Sequence, residues 1–208
     1  LTSKKNTIDE TFRGNPEGNR FIMKSTQLIM RLFGWRVVGI LPDAPKFVTI
    51  GAPHTSGWDL PLGIGIIAAF GVRVCWMAKA SLFRPPLGWL LNALGGIPID
   101  RSARHNVVDQ IVRQFNKHDQ FILGLTPEGT RRRVEYWKTG FYYIAYKANV
   151  PIVLGFFDYK RKICGIGPGI MPSGDIEADI AIIKDFYADI TARYPEKFGE
   201  IKVVKREK

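Results

Sequence analysis

The chain has 208 residues, 46% hydrophobic and 12% aromatic, which is enough for one domain with a large core and excludes an intrinsically disordered segment. Thirty Lys and Arg against nineteen Asp and Glu leave +11 at pH 7, a balance that points to an anionic partner such as nucleic acid, a membrane surface or a phosphorylated ligand. The two cysteines, Cys75 and Cys164, stand far apart without C-x-x-C or Cys/His ligand spacing, so both read as reduced and neither as a metal ligand.

Residues 1–18 are polar, with Gly14, Pro16 and Gly18, and read as a mobile arm. A domain over 19–200 follows, and 201–208 is a basic tail carrying Lys202, Lys205, Arg206 and Lys208. From Asn19, the residues Phe21, Ile22, Leu28, Ile29, Leu32 and Phe33 recur at helical spacing among Arg20, Lys24 and Arg31. That 19–34 segment suits either a core edge or a membrane interface. Arg36 to Ile40 forms a short strand before Pro42, and Phe47 to Gly51 a second one.

The second strand runs into Pro53-His54-Thr55-Ser56-Gly57-Trp58-Asp59. Two readings fit this stretch. As a catalytic pair, the His54 imidazole takes a proton near neutral pH while the Asp59 carboxylate fixes its tautomer. On a regular helix only residues three or four apart face each other, so this pair meets only if His54 lies in the turn before the helix. The other reading makes Ser56-x-x-Asp59 a helix cap, with Asp59 satisfying backbone donors.

Leu60 to Phe70 is a largely apolar helix that must be buried, broken at Gly71. The uninterrupted run from Leu60 to Val72 is thirteen residues, too few to span a bilayer. No signal peptide with a small-residue cleavage site opens the sequence, so export by that route is not expected. Val72 to Met77 is a strand, and Ser81 to Leu94 a Trp- and Leu-rich segment interrupted by Pro85-Pro86. Ile97-Pro98-Ile99 is too short for a central strand and delivers Asp100-Arg101.

A helix over Val107 to Phe115 leads to the strand Phe121 to Leu125 and then to Thr126-Pro127-Glu128-Gly129-Thr130-Arg131. Tyr136 to Ala148 reads as an aromatic-rich helix, Val150 to Phe157 as a strand, and Lys162 to Ile166 as its hairpin partner after Asp158-Tyr159-Lys160-Arg161. A last helix carries Ile176, Ile180, Ile183, Phe186 and Ile190 on one face. This alternation gives a single α/β domain, a mixed but mostly parallel central sheet flanked by helices, with an N-terminal amphipathic helix.

Ligands bind such sheets beyond the carboxyl ends of the strands. Three polar clusters sit there: His54 to Asp59, Asp100-Arg101 and Glu128 to Arg131. Together they offer one base, carboxylates and two arginines, and an Arg fork suits a phosphate or carboxylate ligand. His105 and His118 lie in polar helical sequence without partnering ligands, so no metal is expected.

His54-x-x-x-x-Asp59, Gly96-Ile97-Pro98-Ile99-Asp100-Arg101, Pro127-Glu128-Gly129-Thr130-Arg131 and Val150-Pro151-Ile152-Val153 stand in the order of the four motifs of the glycerolipid acyltransferases. Over roughly 47–157 the chain resembles the bacterial 1-acylglycerol-3-phosphate acyltransferases of that family. The resemblance implies transfer of a fatty acyl group from an acyl-CoA or acyl-carrier-protein thioester to a lysophospholipid hydroxyl, with no bound cofactor.

It also implies His54 as general base, Asp59 as its orienter, Arg101 on the acceptor phosphate, and Glu128, Gly129, Thr130 and Arg131 around the acceptor site. Backbone N–H groups near Gly129 or at the start of the Ser56 helix are the expected oxyanion donors. The implied partners are an acyl thioester, a lysophospholipid and an anionic membrane surface, on the cytoplasmic side of the inner membrane, peripheral or monotopic. Nucleic acid is not expected, because no recognised nucleic-acid motif is present.

Pro53 stands where the family commonly has Asn, and Leu154 where many members have a second Pro; Phe83 and Arg84 are adjacent instead of spaced as in the family motif. A thioesterase or lipid-ester hydrolase using the same pair, or a non-enzymatic basic membrane-binding module, would also fit the residues.

Overall fold

The computed structural model of the chain describes residues 11–100 and 104–204. Within them the strands are β1 (Phe12–Arg13), β2 (Arg36–Ile40), β3 (Lys46–Ala52), β4 (Val74–Lys79), β5 (Gly96–Ile99), β6 (Phe121–Leu125), β7 (Ile152–Asp158) and β8 (Ile163–Ile170). The helices are α1 (Arg20–Leu32), α2 (Asp59–Phe70), α3 (Leu87–Ala93), α4 (Arg104–Lys117), α5 (Gly140–Ala148) and α6 (Ile176–Tyr187). The strands make one sheet in the order β1-β2-β8-β7-β3-β6-β4-β5. Neighbours run parallel except β7 and β8, which are antiparallel across the hairpin turn.

Local chemistry sets the helix ends. Asn19 caps α1, its side chain accepting from the backbone N–H of Phe21 and Ile22. Asp175 does the same for α6, with Glu177 and Asp179 in the first turn where the helix dipole favours anions. α2 closes on Gly71 and α5 on Asn149, both left-handed.

The sheet is covered on both faces. Val48, Ile50 and Ala52 of β3 pack with Ile111 and Phe115 of α4, Phe141 and Ile144 of α5, and Ile180 and Ile183 of α6. The opposite face carries Phe47, Val153 and Phe157 under Met30 of α1 and Leu62, Ile66 and Phe70 of α2. β7 is buried along its whole length, the state that a continuous apolar run such as Ile152 to Phe157 requires. β2 and β8 meet closely at Gly165, whose φ of 155° and contact with the Val38 carbonyl leave no room for a Cβ.

Several expectations shift. Phe12 and Arg13, within the expected mobile arm, pair with Gly39 and Ile40, and the Asn15 N–H donates to the Phe70 carbonyl at 2.8 Å. The expected basic tail begins inside the core, because Ile201 is buried and the Lys202 carbonyl accepts the Trp137 N–H at 2.8 Å. That bond, with Lys138 N–H donating to the Pro127 carbonyl, ties the segment before the helix to two other parts of the chain, and α5 starts at Gly140 and not at Tyr136.

α2 is not buried all round. Leu60 and Ile64 stand 67% and 58% exposed, since the helix covers the sheet with one face and no other described element covers the outer one. α1 behaves likewise. It buries Met23 and Met30 and leaves Phe21, Ile22, Leu28, Ile29 and Leu32 exposed, with Phe33 just beyond its end.

Candidate active site

β3 ends at Ala52 and hands the chain to Pro53 and His54, which lie in the turn before α2. His54 Nδ1 and Asp59 Oδ2 are 3.1 Å apart. The same carboxylate oxygen accepts the backbone N–H of Thr55 and of Ser56, each at 2.9 Å. Its other oxygen accepts the Tyr159 hydroxyl at 2.6 Å. Ser56 does not cap the helix: its hydroxyl accepts the Trp58 N–H at 3.1 Å within the turn, and α2 begins at Asp59 without a side-chain cap. Asp59 thus satisfies backbone donors of the turn before the helix and faces His54, while the expected helix cap by Ser56 is not formed.

Burial alone would raise the Asp59 carboxyl, but hydrogen bonds from His54, Tyr159 and the Ser56 backbone, with the imidazole charge, hold it below its ordinary value. An ionised Asp59 accepts from Nδ1–H, which leaves Nε2 as the basic nitrogen. The Asp59 side chain is 1% exposed and that of His54 21%, so the carboxylate is sealed while the imidazole remains reachable.

The loop after β6 meets this turn from the neighbouring strand. Both carboxylate oxygens of Glu128 accept the His54 backbone N–H, at 3.0 and 2.9 Å. Burial pushes Glu128 up to about 7, only partly offset by that bond and by the His54 charge. Gly129 follows with φ of 66°, a left-handed turn that sends the chain out to Arg131. The Arg131 guanidinium lies against Gly57, 3.1 Å from where a Cβ there would sit. Thr130 turns its hydroxyl to its own loop, accepting the Arg132 N–H at 3.4 Å.

His54, Asp59, Glu128 and Arg131 therefore come together, Gly129 shapes their loop, and Thr130 does not point its hydrogen bond at them. Arg101 lies outside the described residues. β5, which leads to it, is the edge strand two places beyond β6, about 10 Å away at the usual strand spacing. Two expected oxyanion sources are occupied. The Gly129 N–H donates to the Thr126 carbonyl at 3.0 Å, and those of Thr55 and Ser56 go to Asp59.

Tyr159 was not among the residues singled out by the sequence. It sits in the β7–β8 turn, with the Trp35 ring edge-on at 5.0 Å and the Arg193 guanidinium 5.8 Å from its ring centre. Asp158-Tyr159-Lys160-Arg161 reads only as a turn, and nothing local shows that its tyrosine meets a carboxylate one hundred positions back.

An open cleft borders the pair. Besides His54 and Asp59 it is lined by Leu60, Ile64 and Ile67 of α2, Val74 and Trp76 of β4, and Leu94. Thr49, Gly51 and Gly124 also line it, and Thr49 and Gly124 are register partners on β3 and β6. Small side chains there keep the cleft deep, and its walls are apolar. Among the described residues no three His, Cys, Asp or Glu side chains cluster as a metal ion would need.

A family model described as Acyltransferase matches residues 38–153, more than half of the chain. The crystal structure of the 1-acyl-sn-glycerophosphate (LPA) acyltransferase PlsC from Thermotoga maritima shares the fold. It aligns over 84% of this chain and 80% of that one, with a TM-score of 0.56 and 21% identity. No curated protein matches the sequence significantly.

Proposed function

The chain belongs to the acyltransferase family, and from that premise we propose that it moves a fatty acyl group from an acyl-CoA or acyl-carrier-protein thioester to a lysophospholipid hydroxyl, that of 1-acylglycerol-3-phosphate first. The observation that carries the reading is the 3.1 Å contact between His54 and Asp59 at the border of an apolar cleft.

The chemistry follows from the pair. His54 Nε2 takes the proton of the acceptor hydroxyl as its oxygen attacks the thioester carbonyl, and Asp59 stabilises the imidazolium that forms. The tetrahedral oxyanion collapses, the carbon–sulfur bond breaks, and the departing thiolate takes the proton back from His54. No protein nucleophile and no metal is required. Arg131 and Arg101 supply the positive charge for the acceptor phosphate, and Glu128, Gly129 and Thr130 shape the loop beside it. The acyl chain lies along the apolar wall of Leu60, Ile64 and Trp76.

The uncovered stripe of α1, from Phe21 to Phe33 with Arg20, Lys24 and Arg31 beside it, supports docking on an anionic membrane surface. Among the described residues no helix is long and apolar enough to cross a membrane. Our reading is of peripheral or monotopic attachment through this stripe, on the cytoplasmic side of the inner membrane.

Incubation with labelled acyl-CoA tests the proposal. Thiol release should require a lysophospholipid and yield the diacyl product. Equal release without acceptor would overturn transfer in favour of hydrolysis, and a panel of lysolipids identifies the acceptor.

A further inference from the structure

We propose that Tyr159 is a positioning residue for the His54–Asp59 pair, holding the carboxylate in the orientation that receives the imidazole, and that Trp35 in turn fixes Tyr159. The inference rests on the pair acting as the base in the reaction proposed above.

Asp59 is buried, and its two oxygens have separate duties. Oδ2 takes His54 Nδ1 and the N–H groups of Thr55 and Ser56. Among the described residues Oδ1 accepts the Tyr159 hydroxyl alone, at 2.6 Å. Without that donor a buried carboxylate oxygen would be left unsatisfied, and the carboxylate would be free to rotate away from the imidazole plane. The hydroxyl is suited to the task. Burial and the neighbouring Asp59 raise it well above an ordinary phenol, so it keeps its proton wherever His54 works.

The ring itself is fixed from several directions. The Tyr159 N–H donates to the Thr191 carbonyl at 2.9 Å. The preceding Asp158, fully buried, accepts the N–H groups of Lys160 and Arg161 and the Arg161 side chain at 2.6 Å, which locks the β7–β8 turn. Trp35 stands edge-on to the ring at 89°, held by its own N–H bond to the Met30 carbonyl of α1. A path of contacts thus runs from the end of α1 through Trp35 and Tyr159 to Asp59 and His54. Tyr159 lies beyond the segment 38–153 that the family model matches, and Trp35 lies before it.

The titratable and charged groups facing the pair are Glu128 and Arg131 from the loop after β6, Tyr159 from the β7–β8 turn, and Arg193, which also lies over Trp58. Tyr159→Phe keeps the ring and its contacts but removes the donor. The carboxylate then loses the partner of its second oxygen, and the imidazole loses its fixed orientation.

The test is kcat for Tyr159→Phe, measured with KM for both substrates and the thermal melt. The kcat should fall about tenfold or more, as loss of a hydrogen bond to a charged group implies, with both KM values little changed. Trp35→Leu, assayed with a detergent-dispersed acceptor, should lower kcat by less, and add nothing in the Tyr159→Phe background. Full kcat accompanied by a lower melting temperature alone would make Tyr159 merely structural and overturn the proposal. Additive effects of the two substitutions would overturn the role of Trp35. Full activity of His54→Ala would instead overturn the underlying reading of the pair, whatever Tyr159→Phe does.

Discussion

Glu128 accepts the backbone N–H of His54 through both carboxylate oxygens, at 3.0 and 2.9 Å, so a buried acid from one strand end holds the turn at the next. Its folded-state value is raised from 4.5 to about 7, so the folded protein binds this proton more tightly than the unfolded chain does. The Glu128 contribution therefore favours folding at low pH and is lost as pH rises through that window. Glu128→Gln removes the titration and keeps an acceptor for His54. The melting temperature of the parent relative to this variant should fall between pH 4.5 and about 7 and then level off, in melts at constant ionic strength. Glu128→Leu leaves the N–H without its acceptor and should cost about 1–3 kcal/mol.

The His54–Asp59 contact predicts that His54→Ala lowers acyl transfer roughly 10²- to 10⁴-fold, the usual worth of a positioned general base. Thiol release measured with acceptor present checks this, and an unchanged melt shows that the loss is chemical. Asp59→Asn should reduce kcat too, and it also tests linkage. The Asp59 carboxyl is lowered from 3.8, so its contribution to stability is present above that value and is lost as pH falls through the lower folded value. The variant should lack this acid-side loss.

Arg131, against Gly57 beside the His54 turn, should matter for the charged acceptor and little for the acyl donor. Arg131→Ala should raise the lysophosphatidate KM about tenfold or more, as loss of a charge-assisted hydrogen bond implies, while the acyl-CoA KM stays within about twofold. Arg101→Ala should behave alike. Equal changes in both KM values would remove either arginine from the acceptor site.

The stripe on α1 predicts a separable defect. Leu28→Glu with Leu32→Glu places charge on side chains 59% and 78% exposed, so the melt should change little. Binding to anionic vesicles, read by sedimentation, should fall at least tenfold, since each apolar side chain contributes about 1.5–3 kcal/mol when buried. Activity towards a detergent-dispersed acceptor should persist.

Much of this architecture was legible in the chain. Apolar runs bounded by Gly and Pro located most of the strands, because a strand buried on both faces must be apolar throughout, as β7 is. The five-residue spacing of His54 and Asp59 also carried its own constraint, since the pair can meet only with the histidine in the turn before the helix, where it stands. The Pro127-Glu128-Gly129-Thr130-Arg131 run marked a loop beyond a strand end, and Gly129 supplies the left-handed turn in it.

What folding alone decided is which surfaces meet. Periodicity shows that α1 and α2 carry apolar residues, but not that Met23 and Met30 would go inward while Phe21, Leu32, Leu60 and Ile64 stay uncovered. Nor does any local pattern show that the partner of Glu128 is the backbone of a residue 74 positions away, or that Tyr159 completes Asp59. Backbone geometry and side-chain spacing are properties of a few neighbouring residues and can be read in order. The contacts that complete the site depend on the strand order β7-β3-β6, which brings three distant strand ends side by side, and that order is set by the packing of the whole sheet.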